Sequence, residues 1–241
     1  MRSARLTVVL VAHGSRDPRA AASTSSLARA VARARPEWLV RASYLDHAGP
    51  RPLDVLAALP GGSRAVLVPL LLTAAYHGRV DLPAVIRDAS ALPVRVTATG
   101  VLGPASPLLL SAVARRLPSD GLDAVVLAAA GTRDDTARQT VADAATALGR
   151  RLRLPSAVSY ASGPGARADE AVRRLQAAGA RRVGMAAYFL APGLLYDASA
   201  RAAREAGAVA VADPLGDTPD LVRLVAARVD SALSGSLATA A

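Results

Sequence analysis

The stretch Val8–Pro18, VVLVAHGSRDP, decides how the chain is read. Its apolar run, Thr7 to Ala12, reads as a strand buried on both faces, and such strands belong to parallel sheets. The run stops at His13, one of three histidines in 241 residues. Gly14 and a polar turn follow. Asp17 and Pro18 then form a helix start, with a capping carboxylate and a proline at the first helical position. His13 therefore sits at the carboxyl end of a parallel strand, the edge at which open α/β sheets bind ligands.

The same stretch recurs. VVLVAHGSRD (Val8–Asp17) resembles VVLAAAGTRD (Val125–Asp134), 117 positions on. LVPLLLTAAYH (Leu67–His77) lies over MAAYFLAPGLL (Met185–Leu195) at 118 positions, and LGPASP (Leu102–Pro107) over LGDTPD (Leu215–Asp220) at 113. Three matches, in order and at nearly one offset, make the chain two copies of one α/β unit. The boundary is placed near Pro118–Gly121, which gives units 1–119 and 120–241. Strands are expected near Leu6–Ala12, Leu39–Leu45, Ala65–Leu72 and Val94–Thr99, then near Ala124–Ala130, Ser156–Ala161, Val183–Leu190 and Ala208–Ala212. Helices fall between them, in the first unit near Pro18–Arg35, Pro52–Leu59, Leu82–Ala91 and Pro107–Leu117. Strands alternating with helices predict right-handed crossovers and a parallel sheet in each unit, so the expected fold is α/β with two Rossmann-like domains. The tail after Ser234 is small and polar and is expected to fray.

Composition narrows the chemistry. The chain is 52% hydrophobic and 20% charged, enough for a substantial core. It has no cysteine, so disulfides, thiolate metal sites and cysteine nucleophiles are out. The net charge is +10, carried by arginine alone, because lysine is absent. That balance favours anionic partners. Nucleic acid is disfavoured: the arginines are dispersed and aromatics make up 3% of the chain. The short apolar run of the N-terminus is read as a first strand and not as a signal peptide. No stretch reaches the ~18 apolar residues of a membrane helix. A cytoplasmic protein is expected, with no membrane partner.

The repeat isolates the residues that differ between the copies. His13 lies over Ala130, and His77 lies over Leu195. His77 follows the apolar run Ala65–Leu72 by a short loop, so the two histidines can converge at one sheet edge. Asp46, just past the second strand, is at that edge too. Its neighbour His47 is weighed as a surface histidine ahead of a site residue. His13, His77 and Asp46 would form a two-nitrogen, one-carboxylate set suited to divalent iron, cobalt, nickel or zinc, with coordination positions left open. Imidazoles can also take protons near neutral pH. Ser15, Arg16 and Arg79 adjoin the histidines, and arginines beside a helix start favour carboxylate or phosphate. The chain has no P-loop, no GxGxxG and no GxSxG elbow, so nucleotide chemistry and acyl transfer lack support.

VAHGSRDP, followed by a PLLL run and YHGRVDLP, resembles the class II tetrapyrrole chelatases, in particular the sirohydrochlorin cobalt- and ferrochelatases of siroheme and cobalamin biosynthesis. YFLAPG (Tyr188–Gly193) and ADPLG (Ala212–Gly216) are similar to the second half of the long, internally duplicated form. The resemblance implies two α/β domains with a cleft between them. It implies His13 and His77 as metal-binding, proton-accepting residues, and Asp46 where that family often has glutamate. Ser15, Arg16 and Arg79 would meet the substrate, an octacarboxylate macrocycle. The implied reaction inserts Co²⁺ or Fe²⁺, with Ni²⁺ a further candidate, and needs no organic cofactor. The expected partners are the anionic tetrapyrrole and the metal ion, with the chain a monomer or homodimer. A non-enzymatic tetrapyrrole or metal carrier of the same fold, and an anion-binding regulatory domain, remain open alternatives.

Overall fold

In a computed structural model of the chain, residues 5–73, 81–118 and 120–238 are described. The first half carries β1 (Leu6–Ala12), α1 (Pro18–Ala34), β2 (Trp38–Tyr44), α2 (Pro52–Ala57), β3 (Arg64–Pro69), α3 (Asp81–Ala89), β4 (Arg95–Ala98) and α4 (Pro107–Arg116). The second carries β5 (Ala124–Ala129), α5 (Asp135–Leu152), β6 (Ser156–Tyr160), α6 (Ala168–Ala177), β7 (Val183–Tyr188), α7 (Leu194–Glu205), β8 (Ala210–Val211) and α8 (Pro219–Ala238). Two four-stranded sheets result, ordered β2-β1-β3-β4 and β6-β5-β7-β8, with every pairing parallel. This is the expected architecture.

Strand register carries the duplication to single residues. Val8 pairs with Val40 and Val66, while Val125 pairs with Ser156 and Gly184. Leu67 faces Ala98, and Met185 faces Val211. The third and fourth strands thus repeat at 118 and 113 positions, the offsets read from the sequence. Both helix starts repeat as well. Asp17 caps α1 through Arg19 N at 2.9 Å, and Asp134 caps α5 through Ala137 N at 3.0 Å.

Each central strand is buried on both faces, as its continuous apolar run requires. Val8 and Leu10 join the larger core, which continues through the second half, while Val9 and Val11 join a separate cluster with Leu56 and Leu67. The larger core is continuous because the halves exchange helices: α4 packs on β7 and α5, and α8 packs on β3, α1 and α4. At the join, Asp220 at the start of α8 is 2% exposed and takes Arg115 Nε of α4 at 2.6 Å, with Arg223 also paired to it. Arg228 of α8 donates to Leu102 O at 3.2 Å.

Six strands are shorter than expected, and β4 (Arg95–Ala98), β5 (Ala124–Ala129) and β6 (Ser156–Tyr160) lose only one or two terminal residues. β3 ends at Pro69 and not at Leu72: proline has no N–H to extend the ladder, although Leu70 N still reaches Val11 O at 2.8 Å and Leu71 O accepts from Leu102 N at 2.9 Å. β7 stops at Tyr188, and β8 keeps two residues. The tail does not fray at Ser234; α8 continues to Ala238.

Candidate functional site

The loops after β1 and β2 close against each other. His13 O accepts from Asp46 N at 2.8 Å, one step beyond the β1–β2 ladder. Gly14 makes this approach possible. It lies at φ +97°, and a Cβ there would stand 1.8 Å from Asp46 O. A side chain would therefore clash with backbone and force an unfavourable φ. The turn continues with Ser15, whose Oγ accepts from Asp17 N at 3.1 Å and so leads the chain into α1.

His13 faces a cleft of about 420 Å³ between the halves. Ala12, His13, Gly14 and Ser15 form its floor, with Tyr44 and Leu70 at the ends of β2 and β3. Its other wall is Phe189–Tyr196, the loop that leaves β7 and enters α7. The carboxyl edges of both sheets thus line one cleft. The wall is apolar and open to solvent: Leu194 is 84% exposed and Leu195 44%. Phe189 and Tyr196 brace it ring edge to ring at 5.7 Å, and Tyr196 Oη donates to Ala212 O at 3.0 Å.

Asp46 and His47 stand beside His13. The His47 ring meets the His13 ring edge-on, with centroids 6.2 Å apart and planes at 82°. His47 Nε2 is 3.4 Å from Asp46 Oδ2, His47 N donates to Asp46 Oδ1 at 2.8 Å, and Arg51 approaches the same carboxylate at 3.8 Å. The His47 N–H, followed by the charges of His47, Arg51 and His13, holds the Asp46 carboxyl below its ordinary value. Among the described residues, no three His, Asp or Glu side chains converge closely enough to hold a metal ion.

Of the residues singled out in the sequence, His13 and Ser15 line the cleft and Asp46 adjoins His13. Arg16 is exposed next to Ser15, outside the lining. His77 and Arg79 lie outside the described residues. Sequence reasoning set His47 aside, yet its place next to Asp46 in a chain with three histidines was a usable signal. It also missed the apolar wall. The run YFLAPGLLY (Tyr188–Tyr196) carries that signal: it is too apolar for a plain surface loop.

A second pocket of about 200 Å³ is the duplicate of the first. Ala129, Ala130, Gly131, Thr132, Val141, Tyr160 and Tyr188 stand where the first has Ala12, His13, Gly14, Ser15, Thr24, Tyr44 and Leu70. Gly131, at φ +93°, crosses Ser162 O as Gly14 crosses Asp46 O. Burial pushes the Tyr188 hydroxyl pKa well up, and its Oη donates to Leu72 O at 3.3 Å.

A protein-family model described as CbiX matches residues 7–120 and again 124–232. Among curated proteins, a sirohydrochlorin cobaltochelatase of Methanococcoides burtonii is 24% identical over 87 residues. That match covers 35% of this chain, and the chain spans 66% of the relative's length. Among solved structures, SirB from Bacillus subtilis with Fe³⁺ superposes with a TM-score of 0.81 at 20% identity, over 97% of this chain and 98% of that one. The sirohydrochlorin chelatase SirB from Bacillus subtilis subspecies spizizenii, in complex with cobalt, gives 0.77 at 20% identity over 95% of each chain. At this identity the two structures speak to the fold.

Proposed function

Because the chain belongs to the CbiX family of class II chelatases, in its long duplicated form, we propose that it inserts Co²⁺ or Fe²⁺ into sirohydrochlorin. Residues 1–119 and 120–241 are then its two units, with the reactive one first. The observation that carries this reading is the position of His13, at a strand end on the floor of a cleft whose opposite wall is apolar and exposed. A flat macrocycle would lie against Leu194 and Leu195 with its ring nitrogens toward the histidine.

Insertion exchanges two pyrrole protons for one divalent ion, with no change of oxidation state. In this reading His13 accepts a proton and holds the incoming metal, His77 shares both tasks, and Asp46 supports them. Ser15, Arg16 and Arg79 meet the carboxylates at the macrocycle's rim. The net charge of +10 favours encounter with such a polyanion. The metal is a substrate, and Ni²⁺ is the third ion to try. A cytoplasmic monomer or homodimer is part of the same reading. Among the described residues, no helix is long and apolar enough to cross a membrane.

The test is direct. The chain is incubated with sirohydrochlorin and Co²⁺, Fe²⁺ or Ni²⁺ in turn, and the visible spectrum is followed. Insertion faster than in protein-free controls supports the reading. Rates equal to the controls with all three ions overturn it.

A further inference from the structure

We propose that His47 is a metal ligand paired with His13, and that Asp46 stands behind it as the carboxylate that orients its ring. This rests on the metal-inserting reading above and names a ligand for it. Two imidazoles on one ion, each with a metal–nitrogen distance of about 2.0–2.1 Å, have ring centroids roughly 4.5–5 Å apart at tetrahedral or octahedral angles. The centroids of His13 and His47 are 6.2 Å apart. Closing the remaining gap of about 1 Å requires the His47 side chain, which is 36% exposed, to turn toward His13 when the ion binds. The donors are nitrogen, which suits first-row divalent ions of the cobalt and iron kind.

Asp46 is placed for the supporting role. Oδ2 faces His47 Nε2 at 3.4 Å, and Oδ1 takes the His47 N–H and lies 3.8 Å from Arg51. Metal-binding histidines commonly give their second ring N–H to a carboxylate, which fixes the ring and raises its basicity. With Nε2 turned to Asp46, Nδ1 is the nitrogen left for the ion.

The backbone gives an independent sign. His47 sits at φ +58°, in the left-handed region. Residues other than glycine are uncommon there, although histidine is tolerated better than most. Such conformations persist where surrounding structure enforces them, often at ligand sites. Here the Asp46 side chain and the Ala48 N to Asp46 O bond of 2.7 Å enforce it. A turn formed for its own sake would be better served by glycine or asparagine.

The experiment titrates the full chain with Co²⁺ alone. Visible absorption reports affinity, and paramagnetically shifted ring N–H proton signals count the imidazoles bound. The variants are His47→Asn, which tolerates the left-handed turn, His47→Ala and Asp46→Asn, each checked by circular dichroism. Both His47 variants should bind Co²⁺ about 100-fold more weakly and lose one shifted signal. Asp46→Asn should cost about 10-fold, the scale of losing an orienting carboxylate, and keep the signal count. A wild-type chain without Co²⁺ binding overturns the assignment. So do folded His47 variants that match the wild type, or an Asp46→Asn chain that loses binding while the His47 variants keep it. Sirohydrochlorin turnover separates the two claims. Turnover with unchanged Co²⁺ binding in the His47 variants sinks the ligand assignment and leaves the insertion reading. Co²⁺ held through His47 without turnover does the reverse.

Discussion

The two pockets of the cleft share a backbone and differ in chemistry. Around the first, β1 ends in Ala12–His13–Gly14–Ser15; around the second, β5 ends in Ala129–Ala130–Gly131–Thr132. The glycine crossing, the hydroxyl that accepts from the capping aspartate and the tyrosine hydroxyl that donates back to the preceding helix are all present twice. The polar and reactive positions are not. His13 becomes Ala130, Thr24 becomes Val141, and Leu70 becomes Tyr188, whose hydroxyl reaches across to Leu72 O. The second pocket is also smaller, about 200 Å³ against 420 Å³. The glycine turn belongs to the fold and persists in both copies, whereas the histidine belongs to the site and needs to occur once.

The strongest way to break this comparison is at His13. His13→Ala should lower metal insertion at least ~10²-fold, the scale of losing a positioned proton acceptor. His13 stands at a strand end, so the thermal midpoint should hardly move. Near-normal insertion by a folded His13→Ala chain would remove the difference between the pockets.

Gly14 and Gly131 sharpen it next. Alanine at either must take a left-handed φ and meet a backbone carbonyl at 1.8 Å or 2.0 Å. Each substitution should cost at least ~1–3 kcal/mol in denaturant unfolding. Only Gly14→Ala should also lose insertion, because the carbonyl it displaces belongs to Asp46. Equal losses of activity from both would place reactive groups in the second pocket.

The exchanged helices differ in the same spirit. Asp220, the second residue of α8, stands where α4 of the first copy has Leu108. Arg115 and then Arg223 hold its carboxyl pKa below the ordinary value. A depressed carboxyl stabilises the fold above its unfolded-state pKa of about 3.9 and stops doing so as pH falls through the folded value. Asp220→Asn should therefore cost about 1–2 kcal/mol at pH 7. Thermal midpoints of wild type and variant should converge below about pH 3. A constant gap down to pH 2 would mean that the amide fails for steric reasons and that charge plays no part.

Much of this was legible beforehand because local signals agreed. Val8–Ala12 had the pattern of a doubly buried strand, Asp17–Pro18 had that of a helix start, and the three repeat offsets reappear as strand register. Strand ends were less legible: Pro69 closes β3, but the apolar run continues to Leu72 because those residues face the cleft instead of a sheet neighbour. The exchange of α4 and α8 left no trace in hydrophobic pattern, since an amphipathic face does not say which sheet it covers. The place of His47 beside His13 was not legible, because it depends on a left-handed turn that folds its ring back toward His13, and spacing alone does not reveal that turn.

The finest comparison is between Arg16 and Arg133, which follow the cleft residues Ser15 and Thr132 and are both exposed. If the macrocycle docks at the histidine pocket, only Arg16 is close enough to meet its carboxylates. An exposed ion pair is weak, so Arg16→Ala should raise KM for sirohydrochlorin by about twofold to fivefold. kcat should stay fixed, because such a contact is the same in ground and transition states. The Arg16 effect should shrink between 50 mM and 500 mM salt, as the Debye length falls below about 5 Å. Arg133→Ala should leave KM within error at both salt concentrations, since it removes the same charge from the other pocket. Matching it to Arg16→Ala in this way separates local docking from the general attraction of a chain with net charge +10. An equal rise in KM from both substitutions would mean that the arginines act only through that general field. A fall in kcat at constant KM would instead move Arg16 into the proton transfer itself.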